Sequence, residues 1–297
     1  MLDPRLFTPL PPDRRHRLGD EFLSFVSERD GEPDLVRRTL TRRERWFEEM
    51  ARQPAPPWTG QPIDPEAFDA WHRGLRPLRE APPLVIWLVL VARANEGEAW
   101  GVDYLLDRGG FQGLGRSGAL RPRDFADLEE TYHTRILRAV VQLFGVDFSL
   151  RLPPRPVQTS VKFMAYAPER LSFTLLGAGE LMGTVAFLDL ARRGELLLAD
   201  HPDLAARVRN LMDEILIDEI GHVTYLLGTM AGWQLALVRQ IATGYQTYLH
   251  RGYGDDYRES VEPIMRGIRD YSLGLFPERV LRQAFVPEPY WPAEYPR

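Results

Sequence analysis

The chain has 297 residues, 37 basic against 42 acidic side chains for a net charge of −5, and no cysteine. A hydrophobic fraction of 44% with 27% charged residues is that of an ordinary globular protein. The missing thiols rule out disulfides, thiolate metal sites and a cysteine nucleophile, and the lack of a basic stripe with interleaved aromatics argues against nucleic acid as a partner.

Residues 1–80 predict three short, heavily charged helices near 13–29, 33–52 and 64–78, separated by proline-rich joints such as Gln53-Pro54-Ala55-Pro56-Pro57. Pro82-Pro83 opens a helix that reaches about Asp107 and stops at Gly109-Gly110; its first half is apolar on every side, as in a buried bundle helix. A glycine-rich loop, 111–118, leads to a helix beginning at Pro122 and closing at Phe144-Gly145. Residues 146–166 are less regular, with Pro153, Pro154 and Pro156 and a short apolar alternation that could be extended. Pro168 starts a helix ending near Arg193-Gly194, and Asp200-His201-Pro202 starts another running to Met230. Helices at 232–250, 256–273 and 278–285 and a proline- and aromatic-rich tail complete the chain. No repeat or low-complexity tract interrupts it. The expectation is one all-α domain, with 1–80 as an N-terminal extension, 82–230 as a core and 231–297 as C-terminal helices. Met1-Leu2-Asp3-Pro4-Arg5 lacks a signal-peptide pattern, and the most apolar run, Leu84 to Ala92, is too short to span a bilayer. A cytoplasmic protein without a membrane partner is therefore expected.

Four of these helices carry the chemistry. Glu130 and His133, and again Glu219 and His222, stand three residues apart and so share a helix face, where each pair can hold one metal ion. Imidazole with carboxylate and no thiolate suits iron or manganese, with zinc as a further candidate. The other two helices each offer a lone glutamate. Glu98 shares its face with Ala94 and Leu105, whereas Glu96, 200° away, shares its face with Arg93 and Asp103, so Glu98 is the one expected inside. Glu180 lies in Leu175-Leu176-Gly177-Ala178-Gly179-Glu180-Leu181-Met182-Gly183-Thr184, where a charge costs several kcal/mol unless paired or metal-bound. Gly177 and Gly183 flank it by one turn and each costs about 1 kcal/mol of helix propensity. They either leave room for a substrate or let helices pack closely. His16, His72, His201 and His250 read as solvated or capping residues, and no lysine or arginine partner is visible on the ligand faces.

The order Glu98, Glu130-x-x-His133, Glu180, Glu219-x-x-His222 resembles the ferritin-like non-haem di-iron oxygenases over residues 82–230. Glu96-Gly97-Glu98 is similar to the first-ligand helix of the aldehyde-deformylating oxygenases, whose second glutamate binds iron. The layout is closest to the p-aminobenzoate N-oxygenase family, with one departure: Ile215 stands where that family has an additional histidine ligand. The resemblance implies a four-helix bundle holding two iron ions, with manganese as an alternative at one or both positions. In the bacterial multicomponent monooxygenases an acidic residue precedes each Glu-x-x-His and bonds a ligand histidine. Glu129 and Asp218 occupy those places, which implies pairing of Asp218 with His133 and Glu129 with His222. Thr184, one turn after Glu180, matches a threonine of the same enzymes that relays protons; a hydroxyl bonded to its own helix's backbone is the alternative. Leu137, four residues beyond His133, leaves no tyrosine for a radical role like that of the ribonucleotide reductase small subunit.

The implied function is oxidation of a small organic substrate with dioxygen, as hydroxylation or N-oxygenation, served by a reductase or ferredoxin as electron donor. A homodimer is compatible with this reading. A ferroxidase without organic substrate, or a bundle used only for interaction, are the alternatives.

Overall fold

The computed structural model describes residues 2–34, 36–102, 121–152, 155–252 and 258–295. The expected end of the Glu98 helix at Asp107, the Gly109-Gly110 stop, the loop 111–118 and the His250 side chain lie outside the described residues.

Eleven α-helices make up most of the described chain. The first, α1 (Pro12–Asp30), buries Leu18, Phe22 and Val26 at successive turns and ends at Gly31, whose φ of 83° only glycine adopts easily. The helix expected over 33–52 begins only at Thr41. Pro33–Asp34 and Thr39–Leu40 instead form two antiparallel two-residue strands, with Pro33 opposite Leu40. Pro33 disfavours a helical conformation in the residue before it, and Arg38 at φ 56° helps close the turn. α2 (Thr41–Arg52) and α3 (Pro65–His72) follow, the latter capped by Asp64, which accepts from the Glu66 N–H at 3.0 Å.

α4 (Pro83–Val102) and α5 (Pro122–Gln142) both open on proline; in α5 the Asp124 carboxylate accepts from the Arg121 N–H at 2.8 Å. Residues 155–166 are helical (α6, Arg155–Tyr166), not extended, because the prolines fall before or within the first turn, where a missing N–H costs nothing. α7 (Glu169–Leu197) runs through Gly194 instead of stopping there. A Cβ at Gly194 would lie 2.8 Å from Cζ2 of Trp87, so this glycine makes room for the indole, whose N–H is donated to the Leu190 carbonyl at 2.8 Å. α8 (Pro202–Thr229), α9 (Gly232–Gly252), α10 (Arg258–Arg269) and α11 (Glu278–Leu281) complete the set.

α4 packs on α5 and α7, and α8 packs on the same two, so the four close into a ring. α1 lies across α5 and α8 on one side, and α9 and α10 cover α7 on the other. Buried apolar residues from Leu2 to Tyr290 form one continuous cluster. Among the described residues, α7 is the one helix long and apolar enough to cross a membrane by length and composition; here it is the central strut, flanked by α4, α6, α8, α9 and α10.

Candidate metal centre

The ring brings the six predicted ligands together. One group, Glu98 of α4, Glu130 and His133 of α5 and Glu219 of α8, has ligand atoms all within 4.8 Å of one another. A second group, Glu130, Glu180 of α7, Glu219 and His222, meets the same limit. Glu130 and Glu219 belong to both, so the two groups form one cluster of four carboxylates and two imidazoles that can hold metal. His133 Nδ1 lies 3.1 Å from Glu130 Oε2 and 3.4 Å from Glu219 Oε1. His222 Nδ1 lies 3.2 Å from Glu130 Oε1 and 3.6 Å from Glu180 Oε2, and has no well-formed hydrogen bond although it is buried.

Outward, each imidazole turns its other nitrogen to a carboxylate. Asp218 Oδ2 is 3.0 Å from His133 Nε2, and Glu129 Oε2 is 2.9 Å from His222 Nε2. With Nε2–H donated outward, the Nδ1 lone pair of a neutral ring faces the cluster.

Sequence reasoning missed what stands behind these carboxylates. Arg29, at the end of α1, donates to Asp218 Oδ1 and, at 3.0 Å, to Glu214 Oε2. Arg43 of α2 donates to Asp218 Oδ2 at 2.7 Å and to Glu214. Both arginines come from the N-terminal extension, so nothing on the ligand helices could have announced them. They correct the expectation of no arginine partner. Asp30, Glu129 and Asp218 also come within 4.8 Å of one another, but there Asp218 is already paired with both guanidinium groups, and Arg43 lies 3.7 Å from Asp30.

Electrostatics divide the carboxyl groups. Burial, with Glu130 and Glu219 nearby, holds Glu98 well above the usual carboxylate range. Burial and the neighbouring Glu180 push Glu219 up to about 8. Burial also opposes ionisation of Glu130, yet His133 and His222 hold it well below its ordinary value. For the imidazoles burial disfavours charge, but Glu130 and Asp218 around His133, and Glu129 and Glu130 around His222, raise both well above the usual value. Asp218 stays low despite burial because Arg29 and Arg43 flank it. Burial and mutual repulsion thus oppose ionisation of Glu98 and Glu219, and a bound cation would favour it.

A cavity of about 160 Å³ adjoins the cluster, reaching Glu98, Glu130, Glu180, Glu219 and His222 and walled otherwise mainly by apolar side chains such as Val161, Phe173 and Leu226. Gly183 borders it, as expected, and a Cβ there would approach Glu219 Oε2 at 3.8 Å. Gly177 does not: its missing side chain is replaced by Met230, whose Cε would lie 2.5 Å from a Cβ, so close helix packing is its role. Gly97, Gly101 and Gly179 do border the cavity, and a Cβ on each would meet nothing within 4 Å. Glycines four apart beside both lone glutamates were a readable signal of this. Thr184 Oγ1 donates to the Glu180 carbonyl at 2.6 Å and also lies 3.3 Å from Glu219 Oε2, so its position accommodates both roles weighed for it.

Glu96 and His72 depart from expectation. Both are buried, with His72 Nε2 3.1 Å from Glu96 Oε1, and Glu96 accepts from Arg93 at 3.1 Å and the Arg151 N–H at 3.1 Å. His16 is exposed. His201 precedes the first turn of α8 without a side-chain cap, its ring 4.6 Å from that of Trp58. No protein-family model, curated protein or solved structure matches the chain.

Proposed function

We propose that the protein is a dioxygen-dependent oxidoreductase with a two-iron centre in a ferritin-like four-helix bundle, acting on a small, largely apolar organic molecule. The observation that carries this reading is the pair of overlapping Glu/His groups sharing Glu130 and Glu219, opening on an apolar cavity. A glutamate from each of two helices and a Glu-x-x-His from each of two others is the donor set of the di-iron carboxylate bundles.

The residues fit two divalent ions. His222 Nδ1, buried and without a hydrogen bond, is aimed into the cluster, and four ionised glutamates balance the charge of two such ions. Glu98, Glu130, His133 and Glu219 would hold one ion, and Glu130, Glu180, Glu219 and His222 the other. Manganese would satisfy the same oxygen and nitrogen donors. Bound iron would supply the one-electron and dioxygen chemistry that protein side chains lack.

The chain's own residues do the rest. Asp218 and Glu129 fix the imidazole tautomers. Phe173 and Leu226 give the cavity an apolar wall, which favours an apolar substrate there. Thr184 Oγ1 lies 3.3 Å from Glu219 Oε2, so that turning its hydroxyl from the Glu180 carbonyl would let it exchange a proton at that carboxylate. The cavity accommodates a molecule about the size of benzene, which a dry void of roughly 150 Å³ can hold. Insertion of one oxygen atom and release of the other as water consumes two electrons, which a reductase or ferredoxin would provide, and two protons from solvent.

The test is metal analysis of the purified protein, followed by dioxygen consumption with ferrous iron in the presence of small amines, aldehydes and arenes. Two ions per chain and substrate-dependent consumption with an oxygenated product are expected. Iron oxidation alone, unaffected by any substrate, would establish the ferroxidase instead.

A further inference from the structure

The two histidines differ in what stands behind them. Asp218, facing His133, accepts from Arg29 at Oδ1 and from Arg43 at Oδ2, the same oxygen that faces His133 Nε2. Every direction from which this carboxylate could push electron density is thus shared with a cation. Glu129, facing His222, has no such cover: its nearest guanidinium nitrogen, Arg29 Nη1, is 3.8 Å away at the other oxygen. The remaining capacity of the two arginines goes to Glu214, with Asp30 at 3.7 Å from each.

A carboxylate behind a ligating imidazole makes the ring a better donor, to the extent that its own charge is not spent elsewhere. We propose that Arg29 and Arg43 make the two metal positions unequal, so that the His222 position, backed by the less heavily covered Glu129, binds its ion first and more tightly than the His133 position. This rests on the two-metal reading above. Arg29 and Arg43 are positioning residues here, acting on the ion only through Asp218 and His133.

The experiment is titration of metal-stripped, full-length protein with Mn²⁺, read by calorimetry and by the electron paramagnetic resonance of isolated versus coupled ions. Two steps separated by about tenfold or more in Kd are expected, that being the scale of effects transmitted by outer carboxylates. At one equivalent the spectrum should be that of isolated ions. His133→Ala should keep the tight step and His222→Ala should lose it. Arg43→Gln keeps a donor but removes the charge, and should tighten the weaker step and narrow the gap; Arg43→Lys should restore the gap. Glu129→Gln should weaken the tight step. Should Arg43→Gln fail to fold, the two histidine variants and Glu129→Gln decide the matter on their own. Equal steps, or a tight step that survives His222→Ala but not His133→Ala, would overturn the inference while leaving the two-metal reading standing. No uptake of Mn²⁺ or Fe²⁺ at all would remove both.

Discussion

α5 and α8 present their Glu–His pairs from a wall in which the imidazoles are backed by Asp218 and Glu129, and Asp218 in turn by arginines of α1 and α2. α4 and α7 present single glutamates from helices that place Gly97, Gly101, Gly179 and Gly183 around a cavity. His133 and His222 are buried almost completely, at 0% and 2% exposure, while Glu98 and Glu180 remain partly accessible. One wall is built to hold donors still and the other to leave room beside them. Side chains held by several bonds define geometry, whereas missing side chains define volume, and a site that must do both separates the tasks between helices.

Substitutions on the held wall should have the largest effect. His133→Ala or His222→Ala removes the only nitrogen donor of one group, and bound metal should fall from two ions per chain to one or none, measured by elemental analysis. Retention of two ions in either variant would show that the histidines are not ligands. Asp218→Asn leaves the donors in place but removes the charged acceptor behind His133, so metal should be retained with affinity lowered on the order of 10–100-fold. An unchanged affinity would mean that the 3.0 Å contact is packing alone.

On the open wall, Gly179→Leu should fill the cavity with less crowding of the donors than at Gly183, since a Cβ at that position meets nothing within 4 Å. Metal content should be unchanged and substrate-dependent dioxygen consumption abolished. Gly183→Leu is a less clean probe, because its Cβ would lie 3.8 Å from Glu219 Oε2 and would crowd a donor as well as the cavity. Undiminished turnover in Gly179→Leu would place the substrate elsewhere.

The two walls also predict a pH dependence of the metal-stripped protein. Glu219 sits at about 8 in the fold, against 4.5 for an ordinary glutamate. Between those values the folded chain keeps a proton that the unfolded chain releases, so this stability is full below about pH 4.5 and is lost as pH rises toward 8. Glu98, His133 and His222 are raised as well and act in the same direction. Glu130 and Asp218, held low, act oppositely but only in the acid range. The Tm of stripped protein should therefore fall between about pH 6 and pH 8, and metal should take the place of the protons, releasing them on binding and flattening the curve. A Tm that rises over this interval would contradict the arrangement of charges.

How much of this was legible follows from how local each signal is. The spacing of three within Glu130–His133 and Glu219–His222 depends on one helix at a time, and so could be read directly. Glu96 could not. A helical wheel assigns one inside face, but α4 is buried on two sides, by the four-helix ring and by α3 with residues 146–152, where Glu96 meets His72 and Arg151. Arg29 and Arg43 were invisible for a different reason: they reach Asp218 across 189 and 175 residues of sequence. The helix at 155–166 was obscured by prolines that count against a helix only beyond its first turn.

Gly177 and Gly179 carry the comparison down to a single turn of α7. A Cβ at Gly177 would meet Met230 Cε at 2.5 Å and Leu226 Cβ at 3.6 Å, whereas one at Gly179 meets nothing within 4 Å. Alanine in place of a helical glycine gains about 1 kcal/mol from propensity and from a less flexible unfolded chain. At Gly179 that gain is unopposed, so Gly179→Ala should raise stability by about 0.5–1 kcal/mol in urea unfolding. At Gly177 the end of the flexible Met230 side chain has to move aside, which offsets most of the gain and should leave Gly177→Ala within about 0.5 kcal/mol of the parent. Neither change reaches a metal donor, and Gly177 does not border the cavity, so Gly177→Ala should leave both metal content and turnover as they are. A loss of turnover in Gly177→Ala at unchanged stability and metal content would show that the open wall extends one turn further along α7 than the cavity does.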